Sequence, residues 1–456
     1  MLCNRRRPNS VRLTICPVST GQFFLKVLQN CSCARYGIAI FVSLVQGWQP
    51  RLPRSYSDRP MARKRRPPIQ GKDLRGLKYF KVLGPLLDGL HRAGTTRDKA
   101  GNRVLHLDQY AALLLLYFFN PIVKSLRGIQ QASTLSKVQK LLGCQRAALG
   151  SLSEASRVFD PELLRELIGQ LADQALPLLP GKEAEALRGL TAVDGSLLPA
   201  LPKMAWALWL DEDHRAAKMH VHFDVLKGVP VEATLTAGTG SETGQLRATL
   251  QPGRLYVIDR GYAEYQLFQD IVNAGSGFIG RIRDNAVWTV VEERPITPAA
   301  AAAGVRRDLV VWLGGSKSGT VFQQTLHVVE IETSKTDAQG QAEVLLLASS
   351  RLDLDAEWIA LGYRYRWSVE LFFRWFKCIL GCRHLLSTSA NGITIQLYLG
   401  IIASLLISLW AGRKPTRRTY EMLCFYFSGW ATEEELLAHI TDYGLDGVGG
   451  CLSQLK

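Results

Sequence analysis

Apolar positions along the chain change period twice, and each change predicts a different kind of structure. From about residue 70 to 185 they recur at helical spacing, most clearly in Leu163, Leu164, Leu167, Ile168 and Leu171. Asp160-Pro161 ahead of that stripe predicts an N-cap with proline at the first helical position, and Ser151 with Glu154 predicts a capping box on the preceding helix. From 190 the pattern shortens to strand-like runs at 190–193, 219–226, 231–236 and 255–258, then a helix to about Asn273 and a strand at 278–282. Three strands followed by strand and helix in alternation predict an α/β domain with a mixed sheet. Residues 286–343 break the rhythm with β-rich pieces at 287–291, 309–313 and 321–331, an alanine run at 299–303 and glycine turns, as a β-rich insertion would. A strand at 344–348 re-enters the main domain, ahead of one long amphipathic helix from about Glu357 to Leu380.

These changes divide the chain into a basic tract, 1–66; a helical region, 67–185; a first core segment, 186–285; the insertion, 286–343; a second core segment, 344–410; and a helical tail, 411–456. A chain of 456 residues exceeds what one hydrophobic core usually supports. Its 47% apolar and 21% charged residues are ordinary for a globular protein and exclude a largely disordered one.

The formal net charge of +15 changes the picture less than its size suggests. Residues 1–66 hold thirteen Lys/Arg against the single Asp58, which leaves 42 against 39 for the rest, so the body is nearly neutral. Residues 1–60 lack any period and are expected to be disordered or an over-extended reading frame ahead of Met61. Nine scattered cysteines fit a reducing compartment, and Cys378, Cys382 and His384, without a second ligand pair, read as inert thiols and a bystander. The run at 392–410 is long enough to span a bilayer but contains Thr394, Gln396, Ser404 and Ser408, and reads as a buried helix; no membrane partner is expected.

Candidate chemistry begins with Asp194 and Asp259, each directly after a short apolar run, where a strand leaves the core. Neighbouring strands ending so would gather the hard oxygen ligands that Mg²⁺ requires, although aspartate after a strand is also a common turn-former. On the predicted long helix, Tyr363, Arg366, Glu370 and Lys377 fall on one face, with Arg374 beside them and Val369, Phe372, Phe373 and Phe376 opposite. A solvated charged face would look the same. His220, His222 and Asp224 share a strand face but read as structural, and Trp288 and Trp312 read as core residues of the insertion.

Tyr-x2-Arg-x3-Glu-x6-Lys, formed by Tyr363, Arg366, Glu370 and Lys377, resembles the YREK signature of the insertion-sequence-four-like DDE transposases. Val193-Asp194-Gly195-Ser196 and Ile258-Asp259-Arg260-Gly261-Tyr262 resemble that family's two aspartate blocks, in the right order, over a similarity spanning roughly residues 70–410. The resemblance implies a ribonuclease-H-like core in which Asp194, Asp259 and Glu370 bind two Mg²⁺ or Mn²⁺ ions for in-line phosphodiester displacement. It further implies phosphate contacts from Tyr363, Arg366 and Lys377, with Arg374 and Arg260 as weaker additions by proximity, and a flipped base as a second reading of Trp288 or Trp312. The implied partners are double-stranded DNA, as terminal inverted repeats and target, and a second copy of the chain assembled on DNA ends, in the cytoplasm at the nucleoid. A silent transposon-end binder and a nuclease without strand transfer remain the alternatives at this stage.

Overall fold

The computed structural model describes residues 87–91, 104–178, 181–200, 203–207, 215–314, 322–336, 340, 342–382 and 384–440. The expectations for 1–66 lie outside the described residues, as do those for 67–86 and 441–456.

Among the described residues a helical stretch at 87–91 is followed, ahead of the sheet, by α1 (Leu107–Phe119), α2 (Leu126–Ala132), α3 (Ser136–Leu142), α4 (Leu149–Val158), α5 (Glu162–Gln174) and α6 (Lys182–Ala186). The stripe predicted on α5 is its buried face: Leu164, Leu167, Ile168 and Leu171. The Asp160 carboxylate accepts from the Glu162 amide, and Pro161 already has helical dihedrals, so the cap works although the hydrogen-bonded helix starts one residue later. The Ser151 capping box does not form. Helix α4 begins at Leu149 with Ala148 as N-cap, so Ser151 lies within its first turn and cannot cap it.

One nine-stranded mixed sheet carries the rest. Its strands are β1 (Leu190–Pro199), β2 (Ala216–Asp224), β3 (Val229–Ala237), β4 (Leu255–Ile258), β5 (Gly277–Arg281), β6 (Trp288–Arg294), β7 (Val305–Leu313), β8 (Leu326–Thr336) and β9 (Ala342–Ser349), in the order β3-β2-β1-β4-β5-β9-β8-β7-β6. β4 and β5 run parallel to β1; β2, β3 and β9 are antiparallel to their neighbours. The β-rich stretch extends this same sheet, because β9 pairs with β5 on one edge and with β8 on the other. Helices α7 (Glu242–Ala248), α8 (Tyr265–Asn273) and α9 (Pro298–Ala302) fall between strands.

The predicted long helix is interrupted. It comprises α10 (Ala356–Arg364), α11 (Trp367–Arg374) and a π-helical turn, Trp375–Ile379. At the first junction the amides of Arg366, Ser368 and Val369 bond three residues back, tightening the coil. At the second the coil widens where Phe376 packs under α12 (Ala390–Ala411): a Cβ on Gly400 would stand 3.0 Å from the Phe376 ring and 2.6 Å from Cys382 Sγ. Trp375 Nε1 also donates to Ser404 Oγ on α12 at 3.1 Å.

Helix α12 is apolar all round, and 89% of its most apolar window is buried inside the protein, the buried-helix reading of 392–410. Its polar residues are internally satisfied: Gln396 accepts from the Leu386 amide and donates to the His384 carbonyl, and Ser408 donates to the Ser404 carbonyl. The described tail holds α13 (Arg417–Phe427) and a helical stretch at 433–440.

Candidate functional site

β1 and β4 pair in parallel, Leu190 against Leu255 through Ala192 against Val257. Continued two residues further, that register sets Asp194 opposite Asp259. Side chains alternate across a strand, so both carboxylates lie on the face of Leu190, Ala192, Leu255 and Val257, while Val193, Tyr256 and Ile258 belong to a second core cluster. One expectation needs correcting. Asp194 is not at a strand end: β1 continues to Pro199, held by β2 alone, with Asp194 against Val221. Only the β4 side opens there, because β4 stops at Ile258.

The α10–α11 segment covers that face. Gly362 allows the approach, since a Cβ there would stand 2.7 Å from Ile279 Cδ1 on β5, and the Phe372 ring on α11 packs tilted against Phe223 of β2 with centroids 5.5 Å apart. Tyr363 and Arg366 thereby reach an open cleft of about 860 Å³ whose other walls are Asp259, Arg260, Gly261, Arg281, Arg283, Asp284 and Asn285. Arg366 Nη2 donates to Glu370 Oε1 at 2.8 Å. Lys377, carried on the π turn, donates from Nζ to Ser196 Oγ at 2.8 Å, two residues beyond Asp194 on β1.

Five predicted residues thus converge on one edge of the sheet: Asp194, Asp259, Tyr363, Arg366 and Lys377. Glu370 is beside them, but its carboxylate is turned to Arg366, and among the described residues no three His, Cys, Asp or Glu side chains stand close enough to hold a metal ion. Arg260 lines the cleft but is exposed and paired with Asp284 at 3.2 Å. Arg374 is exposed on α11 and does not line the cleft.

The electrostatics are those of buried carboxylates beside a cleft lined by arginines. Asp194 is pushed up to about 6, by burial first and then by the charges of Asp259 and Glu242, against the opposing pull of the Gly195 amide and Arg366. Asp194 Oδ1 accepts from that amide at 2.8 Å, and Asp259 Oδ1 accepts from the Gly261 amide at 2.7 Å. Burial likewise raises Tyr363, with Arg366 acting in the opposite direction. Hard, anionic oxygen donors with an unbalanced buried carboxylate fit a divalent cation, provided that Glu370 releases Arg366.

The decoys separate cleanly. His220 Nε2 meets Thr236 Oγ1 at 2.9 Å, His222 Nε2 meets Thr249 Oγ1 at 3.1 Å, and Asp224 caps the following turn through the Lys227 amide at 2.9 Å. Cys382 is buried and Cys378 exposed, both as free thiols. Trp288 is partly buried against the second core cluster, whereas Trp312 stands 42% exposed, so the core reading does not hold for it.

Arg281, Arg283, Asp284 and Asn285 were not singled out from the sequence. Their signal was positional: Arg281 ends a strand and the others follow it, and parallel strands gather their C-terminal ends, where α/β sheets bind ligands. Gly280 pairs with Ile258, which brings Arg281 next to Asp259.

Residues 185–406 match a family model described as a transposase DDE domain, a span that includes every cleft residue named above. The chain is 27% identical over 282 residues to y4zB of Sinorhizobium fredii, named as a transposase, covering 61% of this chain and 73% of the relative. It is 24% identical over 234 residues to a chain of Geobacillus stearothermophilus named as a transposase for insertion sequence element IS5377, covering 50% and 59%. A third relative, named for insertion sequence element IS4SA of Synechocystis, is 20% identical over 284 residues, covering 61% and 77%. Among solved structures, a piggyBac transposase synaptic complex with hairpin DNA aligns at 13% identity and a TM-score of 0.37, over 77% of this chain and 80% of that one.

Proposed function

The chain belongs to the DDE transposase family, and on that premise we propose that Asp194, Asp259 and Glu370 are the carboxylates with which it cleaves and joins DNA. It is a DNA transposase, an enzyme that cuts DNA and transfers strands, of a family that generally works with divalent metal ions. The observation that carries the residue assignment is the parallel register setting Asp194 opposite Asp259 beneath the helix that bears Glu370. The order β3-β2-β1-β4-β5, with the first three strands antiparallel and the next two parallel to β1, supports reading residues 186–285 with 344–410 as a ribonuclease-H-like core.

In this reading Asp194, Asp259 and Glu370 hold two Mg²⁺ or Mn²⁺ ions. A bound pair supplies Lewis-acid activation of the attacking oxygen and stabilisation of the leaving one in an in-line displacement. Arg366, which donates to Glu370, lines the cleft with Tyr363, where both would serve as phosphate ligands. Lys377 steadies the β1 edge through Ser196 and adds positive charge there. None of these cations reads sequence; they position the backbone.

The DNA is double-stranded, engaged as terminal inverted repeats and as target, and two copies of the chain pair on the ends, at the nucleoid in the cytoplasm. The test is cleavage of a duplex carrying the element's ends, in Mg²⁺, by Asp194→Asn, Asp259→Asn and Glu370→Gln. Each amide keeps the shape and removes the charge, so cleavage should be abolished with folding and end binding retained. Near-wild-type cleavage by any one of them removes that residue from the site.

A further inference from the structure

Strand ends also gather at the edge of the sheet away from Asp194 and Asp259. β1, β4 and β5 are parallel and begin there, and β9, antiparallel to β5, ends there. Arg188 stands two residues before β1, Arg254 one before β4 and Arg351 two after β9. Close backbone approaches draw the three together. A Cβ on Gly189 would stand 2.7 Å from the Gly253 carbonyl oxygen and 3.5 Å from Arg254 Cα, and one on Gly277 would stand 3.2 Å from Arg351 Cγ. Gly277 in turn donates its amide to the Arg254 carbonyl at 2.8 Å.

The three arginines line one open hollow of about 360 Å³, together with Leu255 and Val272 and with no carboxylate in its wall. Their polar neighbours hold two of them from outside it. Asp353 accepts from Nε and Nη2 of Arg351 at 2.7 and 2.6 Å, which leaves Nη1 to donate elsewhere. Gln251 accepts from Nε and Nη2 of Arg254, while Asp224 stands 3.7 Å from its Nη1. The Arg188 guanidinium is exposed and, among the described residues, has no hydrogen-bond or ion-pair partner. The main-chain amides are spent: Gly253 donates to the Gly275 carbonyl and Arg254 to Ser276 Oγ. An anion in the hollow is therefore met by guanidinium forks, whose geometry matches the oxygens of a phosphate. No aromatic side chain lines it, so a base has nothing to stack on, and the backbone of a nucleic acid fits better than a nucleotide read by its base.

We propose that this hollow is a second phosphate-binding site, which takes the sugar-phosphate backbone of a DNA segment other than the one in the catalytic cleft. The two sites sit at opposite ends of β4, a strand of four residues and about 13 Å. The sheet lies between them, so a straight duplex seated in the cleft does not reach the hollow. An enzyme that transfers strands handles two DNA segments, and the far edge offers the second one a cationic seat. The inference rests on reading the cleft beside Asp259 as the place where the first segment is held.

The test uses the full chain in EDTA, with a labelled duplex carrying the element's ends at saturation and a second, unrelated duplex titrated in at several salt concentrations. Wild type should hold both. The double variant Arg188→Gln, Arg351→Gln should bind the second duplex about tenfold more weakly, with a salt slope lower by about two, and keep the first within about twofold. Asp353→Asn, which frees Arg351, should tighten the second duplex. If the double variant does not fold, Arg188→Glu, on an exposed side chain, reads the same loss. A wild type that never holds a second duplex overturns the proposal, as does wild-type binding of that duplex by the double variant or, where it fails to fold, by Arg188→Glu. Calorimetry at fixed ionic strength separates the sources of phosphate: inorganic phosphate that binds wild type and not the variant, with second-duplex binding unchanged, assigns the hollow to free phosphate and overturns the DNA role. Arg366→Ala in the duplex assay separates the two readings. Its unchanged binding of the first duplex sinks the cleft assignment, whereas its loss of the first duplex beside unchanged second-duplex binding in the double variant sinks only the hollow.

Discussion

Arg366 donates to Glu370 at 2.8 Å across one turn, and the same guanidinium bears on Asp194 on the sheet face beneath it. One largely buried cation therefore serves two carboxylates that the proposed chemistry needs for metal. Removing it and removing its acidic partner should have opposite consequences.

Arg366→Ala should weaken binding to transposon-end duplex in EDTA and lower the salt slope by about one, because one fewer condensed counterion is displaced. Lys377→Ala should act in the same direction. Glu370→Ala should bind equally or slightly more tightly, since repulsion of phosphate is relieved. Binding measured at several salt concentrations decides, and unchanged slopes for both cation variants would remove them from the DNA path.

The cleft wall offers an independent pair. Arg283→Ala should lower affinity and salt slope as Arg366→Ala does. Arg260→Ala should cost little, because its exposed guanidinium is already paired with Asp284. Asp284→Asn, by releasing Arg260, should tighten binding at low salt; a loss of affinity in that variant would show that Asp284 has a different task.

Stability should fall as pH drops from about 6.5 towards 4. Burial holds His220 down to about 4 and His222 to about 3, below the ordinary histidine value. Above pH 6.5 both are neutral in folded and unfolded chains, and nothing is gained or lost. Below it the unfolded chain takes up protons that the folded one refuses, at about 2 kcal/mol for each histidine by pH 5. Asp194, raised when folded, pulls the other way, so the readout is a difference: the double variant His220→Gln, His222→Gln should show a flatter decline in melting temperature from pH 7 to 5 than wild type. Parallel curves would mean that the two rings are not buried neutral.

Gly400→Val should destabilise the protein by roughly 1–3 kcal/mol through overpacking against Phe376 and Cys382. The same displacement should shift the π turn that carries Lys377. Denaturant melts measure the first effect, and the salt slope of DNA binding, moving towards that of Lys377→Ala, measures the second. A variant as stable as wild type would show that α12 and the turn are not in close contact.

Much of this protein was legible in its sequence because the relevant rules are local. Apolar runs such as 255–258 mark strands wherever they are buried, the stripe on α5 marks its inner face, and the order of runs implies a mixed sheet. What failed locally did so for tertiary reasons. Ser151 and Glu154 carry capping-box chemistry, yet α4 starts at Leu149, where its packing sets the first turn. The even 100° spacing from Tyr363 to Lys377 assumes one straight helix, but the coil widens to a π turn where Phe376 meets Gly400, and Lys377 on that turn donates to Ser196.

The candidate site divides in the same way. Asp194, Asp259 and the Tyr363–Lys377 spacing could be read from the chain, since each stands in a recognisable run. Their assembly could not: it depends on the parallel register of β1 with β4, which is set by hydrogen bonds between segments 65 residues apart in sequence. Arg281 and Arg283 carry only a positional signal, at the end of a strand. They join the site only because a parallel sheet brings its strand ends to one edge.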